Sequence, residues 1–148
     1  MQAILDTCTV SELQKPRRNP GLEAKCREIG EANLFLSVIT FGAIVSGVAR
    51  MAEGHRKDDL TVWAGDLQRQ FSDRRLGIDL DTARVWGELG ARRATKGRLL
   101  EVSDGLIAAT AIRHGLVILT RNIGDFENTG AEVVNPWIEG GRISPWFP

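Results

Sequence analysis

Ala3-Ile4-Leu5-Asp6 opens the chain on a short apolar run that ends in a carboxylate, the pattern of a buried parallel strand presenting an acid at its C-terminal end. Leu34-Phe35-Leu36 is a second such run. Between them a turn-forming stretch from Pro16 to Pro20 leads into a helical pattern over Gly21 to Ala32, with Leu22, Cys26 and Ile29 on one face. Strand, helix and strand in that order make a βαβ unit, whose crossover sets the two strands parallel.

The same alternation continues outward from this unit. Ser37 is placed to cap a helix whose apolar stripe is Phe41, Ile44, Val45, Val48, Met51 and Ala52, and a further long helix is expected over Lys57 to Ser72. A brief strand follows at Leu76 to Leu80, then a helix over Thr82 to Ala94 and a turn at Gly97. Ser103 caps a helix from Asp104 to His114 that stops at Gly115, and Val117-Ile118-Leu119 and Glu132-Val133-Val134 supply the last strands. The expected fold is α/β and doubly wound, a mostly parallel central sheet with helices on both faces. It occupies residues 1–137, with residues 138–148 an irregular tail rich in Gly, Pro and Trp.

Composition narrows the function. The chain has 148 residues, 43% hydrophobic and 26% charged, the balance of one domain with a real core. No stretch approaches the roughly 18 to 20 uncharged apolar residues that span a bilayer, so a soluble cytoplasmic protein with no membrane partner is expected. Cys8 and Cys26 form no CxxC pair and support neither a disulfide framework nor a thiolate centre. Any metal must rest on oxygen ligands. Nineteen basic and nineteen acidic residues cancel, so the overall field does not attract a polyanion. Local clusters at Lys15, Arg17 and Arg18, at Arg69, Arg74 and Arg75, and at Arg92, Arg93, Lys96 and Arg98 read first as solvated faces.

In open parallel sheets the ligand crevice lies beyond the carboxyl ends of the strands. Asp6 follows the first strand, Thr120-Arg121-Asn122 and then Asp125 follow the strand at Val117, and Asp104 stands at the front of the helix feeding that strand. Each acid alone has an ordinary role as a cap or turn residue. Together in one crevice they repel one another, and a hard divalent cation relieves that repulsion.

These blocks carry a family resemblance. Asp6-Thr7-Cys8-Thr9-Val10-Ser11-Glu12, Ser37-Val38-Ile39-Thr40-Phe41-Gly42, Ser103 to Ala111, Leu119 to Phe126 and Val133-Val134-Asn135-Pro136-Trp137 resemble, in order and spacing, the blocks of VapC-type PIN domains. The resemblance spans residues 3 to 137. It implies an endoribonuclease dependent on Mg²⁺ or Mn²⁺, a toxin of a type II toxin–antitoxin pair with a cognate antitoxin, an RNA substrate and commonly a homodimer. Asp6 matches the family's first metal-binding acid and Asp104 the third. Asn122 stands where Asp is frequent, lining the site, and Asp125 supplies a nearby carboxylate as second-choice ligand. Thr7, Ser11 and Thr120 are candidate donors that orient carboxylates or water.

The departure is Ala43, at the place where the family usually has a second metal-binding Glu. On a helix, position 43 lies roughly 160 to 200° from the stripe of Phe41, Val45 and Val48, so a carboxylate there would point away from the core. Weak or absent nuclease activity is expected as written. Glu12, two turns on from Asp6, is expected in a salt bridge or groove contact with an arginine of the antitoxin or of the chain rather than as a ligand, and the isolated His55 and His114 as surface or capping residues. Two rivals are weighed. A haloacid-dehalogenase-type phosphatase needs a second Asp two residues after Asp6, where Cys8 stands. A catalytically silent antitoxin-binding module would use Ala43, the zero net charge and the aromatic anchors Trp137, Trp146 and Phe147.

Overall fold

The structure, a computed structural model, describes residues 1–97 and 99–138, together with the backbone of 142–143. Its strands are β1 (Ala3–Leu5), β2 (Leu34–Ser37), β3 (Arg75–Leu76), β4 (Val117–Leu119), β5 (Val133–Val134) and β6 (Arg142–Ile143). The helices are α1 (Thr7–Leu13), α2 (Pro20–Ile29), α3 (Val38–Ala49), α4 (His55–Gln70), α5 (Leu80–Thr95) and α6 (Val102–His114), with 3₁₀ turns at Glu31–Asn33 and Ile123–Phe126. One sheet runs in the order β3-β2-β1-β4-β5-β6. It is parallel from β3 through β5 and closes with β6 antiparallel at its edge.

Three-residue strands hold the centre because alternate side chains bury on opposite faces. Ala3, Leu5, Leu34, Leu36, Val117, Leu119 and Val134 pack with Val10, Ile29, Ile44, Leu67 and Phe71 of the first four helices and the residue after them. Ile4, Ile118 and Val133 turn the other way, onto Leu89, Ile107, Ala108, Ala111 and Phe126. The doubly wound α/β expectation therefore holds, with helices on both faces. Strand order reverses at β1: β2 lies on one side and β4, arriving from the far end of the chain, on the other.

Several local readings change. β3 is only Arg75–Leu76, because Asp79 leaves the strand to cap α5, its carboxylate accepting the Thr82 N–H at 2.8 Å. Leu80, expected to end the strand, opens α5 instead and is 75% exposed. Ser103 does not cap α6. The helix begins two residues earlier than expected, at Val102, after an extended Glu101 whose carbonyl accepts the Gly105 N–H at 2.9 Å. Gly115 does end α6, in the left-handed conformation at φ 66° that glycine adopts without strain. Val45 is not core. Phe41, Ile44 and Val48 form the inward stripe, while Val45 is 58% exposed and lines a groove of about 790 Å³ between α3 and α4. Helix α3 is apolar almost all round, so spacing alone could not choose its face.

Two basic clusters also turn inward in part. Arg74 is 8% exposed, stacks on the Phe71 ring at 4.4 Å and donates to the carbonyls of Glu31, Leu34 and Gln70. It ties the end of α4 to the entry of β2, which is a structural task rather than phosphate binding. Arg98, Trp146 and Phe147 lie outside the described residues, and Arg142–Ile143 add a strand within the tail. No described helix is long and apolar enough to cross a membrane.

Helix α2 enters close to the chain's end: Asn19 caps it, Pro20 occupies its first turn, and a Cβ built on Gly21 would overlap the Pro136 carbonyl oxygen. Gly21→Ala should therefore lower stability by about 1–3 kcal/mol, read as a lower Tm in a calorimetric or circular-dichroism melt.

Candidate active site

The site starts from the register of the two central strands. Leu5 pairs with Leu119, so β1 and β4 end level and release Asp6 and Thr120 side by side. The Asp6 N–H donates to the Leu119 carbonyl at 3.4 Å, extending the ladder by one step. Asp6 then turns the chain into α1 as its N-cap, Oδ1 accepting the Thr9 N–H at 3.0 Å. Oδ2 accepts the Thr120 hydroxyl, and the Cys8 thiol donates to Oδ1 and Oδ2 at 3.1 and 3.3 Å. Asp6 is 6% exposed, and so its carboxyl group is held almost wholly by the protein.

Hydroxyls finish the lock. Thr9 Oγ1 donates to the Leu119 carbonyl at 2.7 Å, tying α1 to β4. Thr120, fully buried, accepts the Asn122 N–H at 2.9 Å, which bends the chain after β4 into the 3₁₀ turn carrying Asp125. Thr120 thus fills the orienting role expected of it. Thr7 and Ser11 make no hydrogen bond to a site carboxylate among the described residues.

Asp104 completes the cluster from the first turn of α6. Its carboxyl is pushed up from 3.8 to about 6, first by burial and then by the negative charges of Asp125, Glu101 and Asp6, with Arg93 opposing. The expected residues Asp6, Asp104 and Asp125 therefore share one field. Glu101 joins them without a signal from the motif blocks. It stands one helical turn before Asp104, an i, i+3 spacing present in the sequence but hidden behind the expected Ser103 cap. Asn122 is exposed and held in the same turn through its backbone.

Arg93 departs from its reading as part of a solvated basic face. It is 8% exposed and donates to the Glu127 carbonyl at the end of the Asp125 turn, so α5 braces that turn. Within the chain Glu12 forms an ion pair with Lys15 at 2.8 Å, and it accepts the Asn19 N–H at 3.0 Å. Arg121 stacks over Trp137 at 5.6 Å. Ala43 is exposed on the flank of α3 opposite the α3–α4 groove, whose lining includes none of Asp6, Asp104, Asn122 or Asp125. The chemistry and the groove are separate features. Among the described residues, no three of His, Cys, Asp and Glu stand close enough to hold one metal ion between them.

A parallel α/β sheet that gathers acids at its switch point defines a class, and the comparisons agree: the PIN domain family model matches residues 3–132. The chain belongs to the PIN-domain family, and within it to the VapC-type toxins. It is 34% identical over 138 residues to the VapC ribonuclease Y4jK of Sinorhizobium fredii, covering 90% of this chain and 96% of that one. It is 35% identical over 141 residues to the plasmid stability protein StbB of Pseudomonas syringae pv. tomato, covering 90% and 97%. The crystal structure of FitAcB from Neisseria gonorrhoeae superposes with a TM-score of 0.84 at 31% identity, over 92% of this chain and 99% of that one.

The field at Asp104 has a measurable consequence. Its folded pKa lies above its ordinary value, so the folded chain holds this proton more tightly than the unfolded one. The stability it contributes is full below about pH 4 and is lost as pH rises through about 6. A carbon-13 carboxyl titration should find Asp104 near 6, and Asp125→Asn should move it back toward 3.8.

Proposed function

We propose that this chain is an endoribonuclease whose site takes Mg²⁺ or Mn²⁺ on Asp6 and Asp104, with Asp125 as a further carboxylate reached through water because no three acids among the described residues converge on one point, and that Ala43 leaves it weak or silent as written. The observation carrying this reading is the half-buried Asp104 facing the charges of Asp125, Glu101 and Asp6. Such repulsion is what a cation relieves, and an all-oxygen set suits a hard one. When bound, such an ion lowers the pKa of an attacking water and neutralises charge on the phosphate.

The chain's own residues do the positioning. Asp6 is oriented by the Thr120 hydroxyl and the Thr9 N–H, which fixes the direction its remaining lone pairs face. Asn122 lines the crevice beside Thr120, where its amide can hold a water or a phosphate oxygen. Position 43, in the second turn of the helix that starts at the end of β2, is where a Glu would add the missing acid. Arg17, Arg18 and Arg121 are exposed cations that can meet an RNA backbone in a chain of zero net charge.

The partner reading follows the relatives. FitAB, at 30% identity and a TM-score of 0.84, was solved bound to a DNA fragment. For this chain we infer a cognate antitoxin, a homodimeric state and a place in the cytoplasm. A catalytically silent antitoxin-binding module is the second reading, favoured by the apolar α3–α4 groove that stands apart from the carboxylates.

Ala43→Glu should raise Mg²⁺-dependent cleavage of RNA about 10²-fold, and Asp104→Asn in that background should abolish the gain. Equal cleavage by the parent chain and its Ala43→Glu variant would remove position 43 from the site.

A further inference from the structure

The thiol of Cys8 stands in the middle of this site with no task assigned to it. Its Sγ lies 3.1 and 3.3 Å from the two oxygens of Asp6 and 3.7 Å from the Thr120 hydroxyl, closing a triangle across the ends of β1 and β4. The sequence offers Cys8 only as the residue that removes a second aspartate. We propose that Cys8 is a positioning residue of the carboxylate site, its S–H reaching both carboxyl oxygens of Asp6, of which Thr9 and Thr120 hold one each.

The geometry supports this from two directions. Asp6 caps α1, so the first turn of that helix fixes where Cys8 sits relative to the carboxyl group. Thr120 is committed already, donating to Asp6 Oδ2 and accepting from the Asn122 N–H, and it cannot also restrain Oδ1. The Thr9 N–H reaches Oδ1 alone. Among the described residues the thiol is the one donor that touches both oxygens, so it adds a third restraint to a carboxyl plane that Thr9 and Thr120 hold by one oxygen each. Cys26, also half-buried, makes no such contact among the described residues and serves as an internal control.

The proposal rests on the reading of Asp6 as a cation ligand, and the test separates the two. Mn²⁺ binding is followed by the loss of the free-ion electron paramagnetic resonance signal, in the chain as it stands and in its Ala43→Glu form. Each is compared with Cys8→Ala and Cys8→Ser, and melts are recorded alongside. Cys8→Ala should weaken Mn²⁺ binding about tenfold at unchanged Tm, while Cys8→Ser, which keeps an X–H donor, should stay within about threefold. Cys26→Ser should leave the affinity unchanged. Undiminished binding by Cys8→Ala, or equal loss in the alanine and serine forms, overturns the assignment and leaves the functional reading intact. If neither parent form binds Mn²⁺, the functional reading falls and takes this assignment with it. Should Cys8→Ala melt early, Cys8→Ser decides: affinity within about threefold supports the role, and a tenfold loss overturns it.

Discussion

A carboxyl group removed from water needs donors, and the Asp6 side chain, almost fully enclosed, obtains three of them from two distant parts of the chain. The Thr120 hydroxyl reaches it across the join of β1 and β4. That contact exists only because Leu5 and Leu119 stand level in the parallel ladder. A slip of one residue would carry Thr120 past Asp6 and turn every side chain of β4 to the wrong face. The first turn of α1, the bend after β4 and the crevice between them all follow from satisfying this one group.

Around that fixed point the electrostatics pull the other way. Asp104 from α6, Asp125 from the 3₁₀ turn and Glu101 from the entry to α6 bring like charges toward Asp6, and burial makes their mutual cost larger. The scaffold tolerates this because the elements carrying the acids are pinned by other means. Arg93 holds the Asp125 turn through the Glu127 carbonyl, and Gly105 lets α6 lie against Trp86 of α5, where a Cβ would crowd the indole. Strain of this kind, concentrated at one end of a sheet whose opposite faces are apolar, marks a binding centre more surely than any single acid does.

Much of this is legible in the sequence because the informative residues sit at strand ends. Short apolar runs at Ala3, Leu34 and Val117, each followed by a polar residue, place the sheet and its crevice without knowledge of packing. The Asp6, Asp104 and Asp125 set follows from the same logic together with the family resemblance. What spacing cannot show are the choices made by three-dimensional packing. Val45 reads as inward because α3 has too few polar residues to mark its outer side. Arg74 and Arg93 read as solvated because a buried arginine serving backbone carbonyls leaves no periodic trace. Cys8 and Glu101 give no signal of their own because their importance lies in distances to residues elsewhere in the chain.

The bridge from Thr120 to Asp6 joins residues 114 apart in sequence, and the strand leading to Thr120 is the fourth to be made. Loop closure over that span is among the last contacts such a chain can form. During synthesis Asp6 therefore has only its local donors, Cys8 and Thr9, until Thr120 has emerged. A protein built on this plan separates its birth from its chemistry by time: the crevice can close only after the strand ending at Leu119 and the Thr120 beyond it have been made.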